Sequence, residues 1–167
     1  MKTLYLCRHA KSSWADASMG DFDRPLNERG LRNAPHMAQV FKQRGEPIDL
    51  LICSPAKRAL TTARSFADAL VIHKDHFLQD RAIYLADRTT LMRLVHAMPA
   101  SAERVMLFGH NPGFTELLDH LSDAGVDNLP TCGLVRIDFA MEDWGLVAKH
   151  TGTLVWFDYP KRHPGQE

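Results

Sequence analysis

The 167-residue chain has little cysteine, no excess of either charge and no long apolar run. Its three cysteines, Cys7, Cys53 and Cys132, are widely spaced, so they do not indicate a disulfide framework. Twenty basic residues balance twenty acidic ones, which argues against a nucleic-acid partner or an anionic membrane surface. No apolar stretch approaches the ~20 residues of a membrane span. These absences predict a cytoplasmic protein with no membrane association.

The length and composition fit one domain covering residues 1–167. Apolar residues make up 45% of the chain and charged residues 24%, which is ordinary for a globular protein. A chain of this size can bury a sizeable core without help from metals or disulfides. We therefore expect a single domain, and a monomer.

Buried strands and amphipathic helices alternate along the sequence. Short apolar runs predict strands at Thr3–Cys7, Asp49–Cys53, Arg104–Phe108, Leu134–Phe139 and Thr153–Phe157, with a weaker one near His76–Leu78. Helical spacing of apolar residues predicts helices at 59–70, around 91–95, at 114–121 and at 31–44, where Pro35 should kink the helix or delay its start. This order predicts an α/β fold, a three-layer α/β/α sandwich with a mostly parallel central sheet. The last two strands lack a long helix between them, so at least one of them is expected to run antiparallel.

Three polar loops follow three of the predicted strands. The first strand ends in Arg8 and His9, the second leads into "CSPAKRALTTA" with Arg58, and the fourth ends in "FGHNPGF" with His110. Sites in such sheets form beyond the carboxyl ends of the strands, where loops and helix N-termini meet. In the second loop, Ser54 is expected to cap a helix whose first position is Pro55.

An oxyanion would bind in a crevice that is lined by two arginines, two histidines and helix N-termini. Phosphate is the natural ligand, because the guanidinium fork matches its oxygens. His9 could attack phosphorus, since nearby cations would keep its imidazole neutral. The alternative is that His9 is a hydrogen-bonded structural histidine. Three matched loops in this order favour the phosphate site.

These motifs resemble those of the histidine phosphatase superfamily, which has a phosphoglycerate-mutase-like fold and an Arg-His-Gly motif; Ala10 stands here in place of the glycine. "RHAKSSW", "DFDRPLNERG", "SPAKRALTTA" and "GHNPG" are most similar to the SixA-type phosphohistidine phosphatases. The resemblance implies that His9 is a transiently phosphorylated nucleophile, that Arg8, Arg58 and His110 surround the phosphate, and that no metal or other cofactor takes part. It also implies substrate contacts near Asn27 and Glu28.

A proton donor for the leaving group is harder to find in the sequence. Many superfamily members supply a carboxylic acid from a loop after the third strand. Asp80 is the nearest candidate here and Asp87 lies behind it, although a solvated loop aspartate is an equally simple interpretation of both. An imidazole leaving group needs less protonation than an alkoxide, so a weak donor would favour phosphohistidine as substrate.

Two other chemistries fit the sequence less well. Four residues separate Cys53 from Arg58, whereas the cysteine-dependent phosphatase loop has five, so Cys53 is expected to pack in the core. His73 and His76 lie three apart, but no paired cysteines or His-Glu-x-x-His motif accompany them, so we predict no metal site.

The leading hypothesis is a phosphatase that dephosphorylates phosphohistidine on a partner protein, such as a histidine phosphotransfer domain. Short connections leave no obvious lid over the site, which suits a phosphorylated side chain displayed by another protein. Two alternatives stay open, namely a phosphatase for small phosphomonoesters and a non-catalytic module that binds phosphate or phosphoproteins.

Overall fold

The computed structural model describes residues 1–164, which form one six-stranded sheet flanked by helices. The strands are β1 (Lys2–Arg8), β2 (Leu50–Cys53), β3 (Phe77–Gln79), β4 (Arg104–Gly109), β5 (Leu134–Phe139) and β6 (Gly152–Asp158). Their order in the sheet is β3-β2-β4-β1-β5-β6. β1, β2, β3 and β4 pair in parallel, whereas β5 is antiparallel to both of its neighbours. The mostly parallel sheet with an antiparallel strand near the C-terminus is therefore confirmed.

Four helices connect the strands: α1 (Glu28–Gln43), α2 (Lys57–Leu70), α3 (Arg88–His96) and α4 (Gly113–Ser122). The prediction that Pro35 would delay the first helix is wrong, because α1 begins at Glu28 and contains Pro35. The side chain of Asn27 caps α1 by accepting the backbone N–H of Gly30 at 2.9 Å. The helix thus starts at a good N-cap residue and loses only the hydrogen bond that proline cannot donate.

The start of α2 also differs from the sequence-based expectation. Ser54 and Pro55 precede the helix, whose N-cap is Ala56, rather than forming its cap and first position. The Ser54 hydroxyl instead accepts the backbone N–H of Ala56 at 3.3 Å, within the loop. Arg58 consequently lies at the second residue of α2, directly beside the end of β2.

The two faces of the sheet bury separate apolar layers, because alternate residues of a strand point to opposite sides. Leu4 and Leu6 of β1 belong to the layer that contains the buried side chains of α3 and α4. Tyr5 and Cys7 belong to the layer that contains those of α1 and α2. This arrangement confirms the three-layer α/β/α sandwich. None of the helices within residues 1–164 has the length and hydropathy of a membrane span.

The strand order brings three loops to one edge of the sheet. β4 lies between β1 and β2, with Arg8 opposite Gly109 and Cys53 opposite Phe108. Because these three strands are parallel, their carboxyl ends coincide. Gly109 is required at the end of β4, since a Cβ there would lie 2.5 Å from the ring of Phe114. The loops that follow β1, β2 and β4 therefore face one another.

Candidate active site

His9 is held at the end of β1 with one ring nitrogen directed into the crevice between the loops. Its side chain is 93% buried. The Nδ1 atom lies 2.7 Å from the backbone carbonyl of Ala10, which can only accept, so Nδ1 carries the proton. The Nε2 atom then keeps its lone pair and accepts the Nε–H of Arg58 at 3.3 Å. His9 is thus a neutral imidazole with a defined tautomer and orientation.

Backbone hydrogen bonds fix this histidine in place. The N–H of His9 donates to the carbonyl of Gly109 at 3.1 Å, which ties β1 to the end of β4. The N–H of Cys132 donates to the carbonyls of Arg8 and His9 at 3.0 and 3.1 Å. The main chain of the motif is therefore held from both sides.

Arg58 contributes the most buried cation of the crevice, with 2% of its surface exposed. Besides the bond to His9, its Nη1 donates to the backbone carbonyl of Asp21 at 2.7 Å and its Nη2 to the Asp21 carboxylate at 3.0 Å. The Thr62 hydroxyl, one turn later in α2, donates to the Arg58 carbonyl and accepts the N–H of Ala10. The guanidinium plane is therefore fixed at both ends.

Asp21 is a member of the crevice that sequence reasoning did not single out. Its carboxylate accepts hydrogen bonds from the Tyr84 hydroxyl at 2.6 Å, from Arg58, and from Nε and Nη2 of Arg24 at 3.2 and 3.1 Å. Burial raises the pKa of Asp21, but the donors Tyr84, Arg58 and Arg24 outweigh it and bring the pKa down to about 2. Asp21 is ionised at neutral pH and acts as the anchor of two arginines.

Only a weak signal in the sequence could have identified this anchor. Asp21 and Arg24 both lie in the "DFDRP" stretch, which carried the resemblance but not a role. Tyr84 lies in the loop after β3, between the candidate acids Asp80 and Asp87. No spacing rule links Asp21 to Arg58, because the two residues meet through tertiary structure alone.

His110 and Arg8 supply further polar atoms to the crevice. Nε2 of His110 lies 2.8 Å from the Ser54 hydroxyl, and its ring centroid is 5.3 Å from that of His9. Nη1 of Arg8 donates to the carbonyl of Leu129 at 3.1 Å. Within residues 1–164, His110 Nδ1 and Arg8 Nε are buried without a hydrogen-bond partner. Such atoms are expected to bind a ligand that brings its own acceptors.

Burial keeps both histidines neutral. It lowers the pKa of His9 to about 3, and Arg58 and Arg8 add to the effect through their positive charge, against the hydrogen bond to Ala10. Burial likewise lowers the pKa of His110 to about 3, with Arg58 as the next largest cause. A neutral imidazole beside fixed guanidinium groups is the state required for nucleophilic attack on a phosphoryl group.

Four candidate residues from the sequence are used as helix caps or lie at a helix start. Asn27 caps α1, and the exposed side chain of Glu28 begins it. The Asp80 carboxylate accepts the N–H of Ala82 at 2.9 Å, at the start of a short 3-10 helix, and Asp87 caps α3 through Thr90. Among the described residues, no hydrogen bond joins these side chains to His9, Arg58 or His110. Their roles toward a substrate stay predictions.

Cysteine and metal chemistry find little support in the geometry. Cys53 is fully buried, and burial raises the pKa of its thiol to about 12, so it is a poor nucleophile. His73 and His76 lie on the exposed surface. Within the described part of the chain, no group of three or more histidine, cysteine or acidic side chains has the arrangement of a metal site.

Comparisons with known proteins agree with this geometry. A family model described as the histidine phosphatase superfamily (branch 1) matches residues 4–100. A chloroplast protein of Arabidopsis thaliana is 30% identical over 151 residues, covering 86% of this chain and 69% of that protein. A protein of Mycobacterium tuberculosis is 28% identical over 165 residues, covering 92% of this chain and 99% of that protein.

Solved structures show the same fold. A crystal structure assigned as the phosphohistidine phosphatase SixA of Agrobacterium tumefaciens has a TM-score of 0.80 and 29% identity, covering 95% of this chain and 98% of that one. A tungstate complex of the protein histidine phosphatase SixA has a TM-score of 0.80 at 20% identity, covering 96% and 98%, and bears on the fold alone. The resemblance to the SixA type and the phosphoglycerate-mutase-like fold are confirmed. Since the family model spans more than half of the sequence, the chain belongs to the histidine phosphatase superfamily.

Proposed function

We propose that this protein is a cofactor-independent phosphatase that works through a phosphorylated His9. The observation that carries the proposal is the state of that side chain. Its Nδ1 proton is committed to the Ala10 carbonyl, while Nε2 is neutral and faces the Arg58 guanidinium. A merely structural histidine has no need to aim an unprotonated nitrogen at a fixed cation.

The reaction takes place in two displacements at phosphorus. In the first, the Nε2 lone pair of His9 attacks, an N–P bond forms, and the bond from phosphorus to the leaving group breaks with its electron pair. In the second, water attacks the phosphoryl group and the N–P bond breaks. The leaving group takes its proton from solvent in the first step, and the attacking water releases a proton to solvent in the second, so the products are inorganic phosphate, the protonated leaving group and neutral His9.

Arg8, Arg58 and His110 are the groups that would hold the phosphoryl oxygens. The Nε–H of Arg58 donates to His9 in the free protein. When phosphate binds, this N–H can donate to a phosphoryl oxygen instead. Two of the buried atoms without a partner among residues 1–164, Nε of Arg8 and Nδ1 of His110, belong to side chains of this crevice. If the Ser54 hydroxyl donates to Nε2 of His110, the ring proton resides on Nδ1, and it can donate to phosphate.

Protein phosphohistidine is the substrate class that fits this site best. The carboxylate in contact with Arg58 is Asp21, whose pKa of about 2 makes it a poor proton donor at neutral pH. A site with a weak donor favours a leaving group that needs little protonation, and imidazole needs less than an alkoxide. The Agrobacterium tumefaciens relative is named for phosphohistidine phosphatase activity. A phosphorylated histidine phosphotransfer domain is therefore the proposed partner.

Phosphate release from two substrates tests the proposal. Wild type and His9→Ala are compared on a phosphohistidine-bearing phosphotransfer protein and on an aryl phosphate, with a chelator present. We expect fast release from the protein by wild type only. Release from the aryl phosphate alone would move the substrate class to small phosphomonoesters. Release from neither, with phosphate still bound, would support the non-catalytic binding module.

A further inference from the structure

A second pocket lies beside the crevice, between the first turns of α1 and the segment after β6. Its volume is about 350 Å³. Pro130 and Pro160 form part of its wall, and the side chains that give it its chemistry are Arg29, Asn33, Thr131, Tyr159 and Lys161. The mechanism proposed above uses none of these five residues.

The pocket combines two cations with a buried amide. Arg29 and Lys161 are exposed, and within residues 1–164 neither forms an ion pair. Asn33, one helical turn after Arg29, is 95% buried, and its Oδ1 atom has no hydrogen-bond partner among the described residues. A buried acceptor without a partner is costly, so a ligand that donates a hydrogen bond to it would be stabilised.

This combination favours a peptide over a free anion. Carboxylates would pair with Arg29 and Lys161, and a backbone N–H could reach the Asn33 amide. A small carboxylate offers charge but no donor for Oδ1 at neutral pH, and inorganic phosphate has a P–OH donor but only one anionic group for the two cations. An acidic segment of a protein offers both groups in one chain.

One short loop separates this pocket from the proposed phosphate site. The backbone carbonyl of Leu129 accepts a hydrogen bond from the Arg8 guanidinium. Thr131, two residues later, lines the pocket, and the N–H of Cys132 returns to the backbone of Arg8 and His9. The loop therefore contacts Arg8 on one side and lines the pocket on the other.

Strand pairing places the pocket near the end of β1, two strands away across the sheet. Cys7 pairs with Leu134 of β5, and Leu134 pairs with Asp158 of β6, directly before Tyr159. Two strand spacings amount to about 10 Å. A protein that presents a phosphorylated side chain to His9 would therefore cover the pocket with residues near its phosphorylation site.

We infer that this pocket is a docking site for an acidic segment that flanks the phosphohistidine of the partner protein. The inference rests on the proposed function and gives it a specificity element. The Arg29 and Lys161 side chains bind carboxylates of the segment, and Asn33 accepts a backbone N–H. The pocket selects protein substrates and does not touch the reacting phosphorus.

Steady-state kinetics with matched substrates test this docking site. The double variant Arg29→Gln/Lys161→Gln is compared with wild type on two substrates. One is a phosphotransfer protein with acidic residues beside its phosphohistidine, and the other is free phosphohistidine. Lys42→Gln, near the other end of α1 and also exposed, is the control for general charge. The double variant should raise KM for the protein about five- to tenfold at unchanged kcat, and should leave kcat/KM for free phosphohistidine within twofold. The control should match wild type on both.

Neutralising the acidic residues of the substrate protein completes the test. It should raise KM for wild type and have little further effect on the double variant, because the same contacts are already lost. Equal KM values for wild type and the double variant would overturn the docking site alone. If wild type hydrolyses free phosphohistidine but not the phosphoprotein, both the docking site and the proposed protein substrate are wrong.

Discussion

At the residue scale, the chemistry depends on how His9 and Arg58 are held. His9 is neutral because it is buried among cations, and its tautomer follows from the Ala10 carbonyl. Arg58 is oriented by two hydrogen bonds to Asp21, which the Tyr84 hydroxyl orients in turn. The proposed nucleophile and the cation beside it thus have separate supports.

Replacing Asp21 tests the support of the guanidinium. Asp21→Asn removes the charge but keeps the shape, and we expect kcat/KM to fall about tenfold or more, since a charged hydrogen bond contributes about 1.5–3 kcal/mol. Inhibition by inorganic phosphate should weaken by a similar factor, because the misaligned Arg58 binds the oxyanion less well. Tyr84→Phe removes one donor to Asp21 and should have a smaller effect of the same kind. Unchanged phosphate inhibition in Asp21→Asn would show that Asp21 does not position Arg58.

The pH dependence of activity tests the neutral state of His9. An ordinary histidine loses its nucleophilic form as the pH falls through about 6.5, whereas the pKa of His9 is about 3. After correction for the ionisation of the substrate, kcat/KM for an aryl phosphate should therefore not decline between pH 7 and about pH 5. A one-proton decline centred near pH 6.5 would contradict the assignment of a neutral, buried nucleophile.

The convergence of four candidate site residues could be predicted from the sequence, but the residue that orients Arg58 could not. Arg8, His9, Arg58 and His110 follow strands or open a helix, so the strand pattern alone places them at one edge. Asp21 lies in a loop between β1 and α1, and Tyr84 in another loop after β3. Their contact with Arg58 depends on loop conformations that no periodicity reports.

At the element scale, α1 and its cap connect the motif loop to the rest of the fold. Asn27 caps the helix, and its own N–H donates to the Lys11 carbonyl at 2.9 Å. Gly30, in the first turn, lies so close to Lys11 that an added Cβ would meet its carbonyl oxygen. The start of α1 is therefore packed directly against the residues that follow His9.

Two substitutions separate a capping role of Asn27 from a contact with substrate. Asn27→Ala should lower the free energy of unfolding by about 1 kcal/mol, measured by urea denaturation, because the cap is lost. Asn27→Asp keeps an acceptor for the Gly30 N–H and should retain wild-type stability. If Asn27 also contacts substrate, both variants will lower kcat/KM, whereas a cap alone predicts that Asn27→Asp is fully active.

The helices illustrate which parts of an element a sequence can predict. The apolar spacing in α2, α3 and α4 was sufficient to predict these helices, because burial of one face against the sheet imposes a helical period. The predicted start of α1 at Leu31 is three residues late, because the helix begins at Glu28, directly after its cap at Asn27. The start of α2 was misjudged because Ser54 is used within its loop and beside His110.

At the scale of the whole molecule, the buried neutral histidines link stability to pH. His9 and His110 have pKa values of about 3 in the folded protein, below the value of 6.5 for an exposed histidine. The unfolded chain therefore binds more protons than the folded one between these values. The stability that they confer is complete above about pH 6.5 and is lost as the pH falls toward 3.

Urea denaturation at several pH values measures this link. The free energy of unfolding should fall by a few kcal/mol between pH 7 and pH 4.5. His110→Gln should reduce the size of that fall, since one of the two groups is gone. His73→Gln, which replaces an exposed histidine, serves as the matched control and should leave it unchanged. Equal pH dependence in all three proteins would contradict the neutral burial of His110.

The central claim is that the phosphoryl group passes through His9, and trapping the phosphorylated protein tests it most directly. The enzyme is mixed with a phosphotransfer protein that carries a labelled phosphohistidine, quenched with base within milliseconds to seconds, and digested for mass spectrometry. We predict an acid-labile, base-stable label on the peptide that contains His9, and none in His9→Ala. Release of phosphate with no label on the enzyme, or with the label on another residue, would contradict this mechanism.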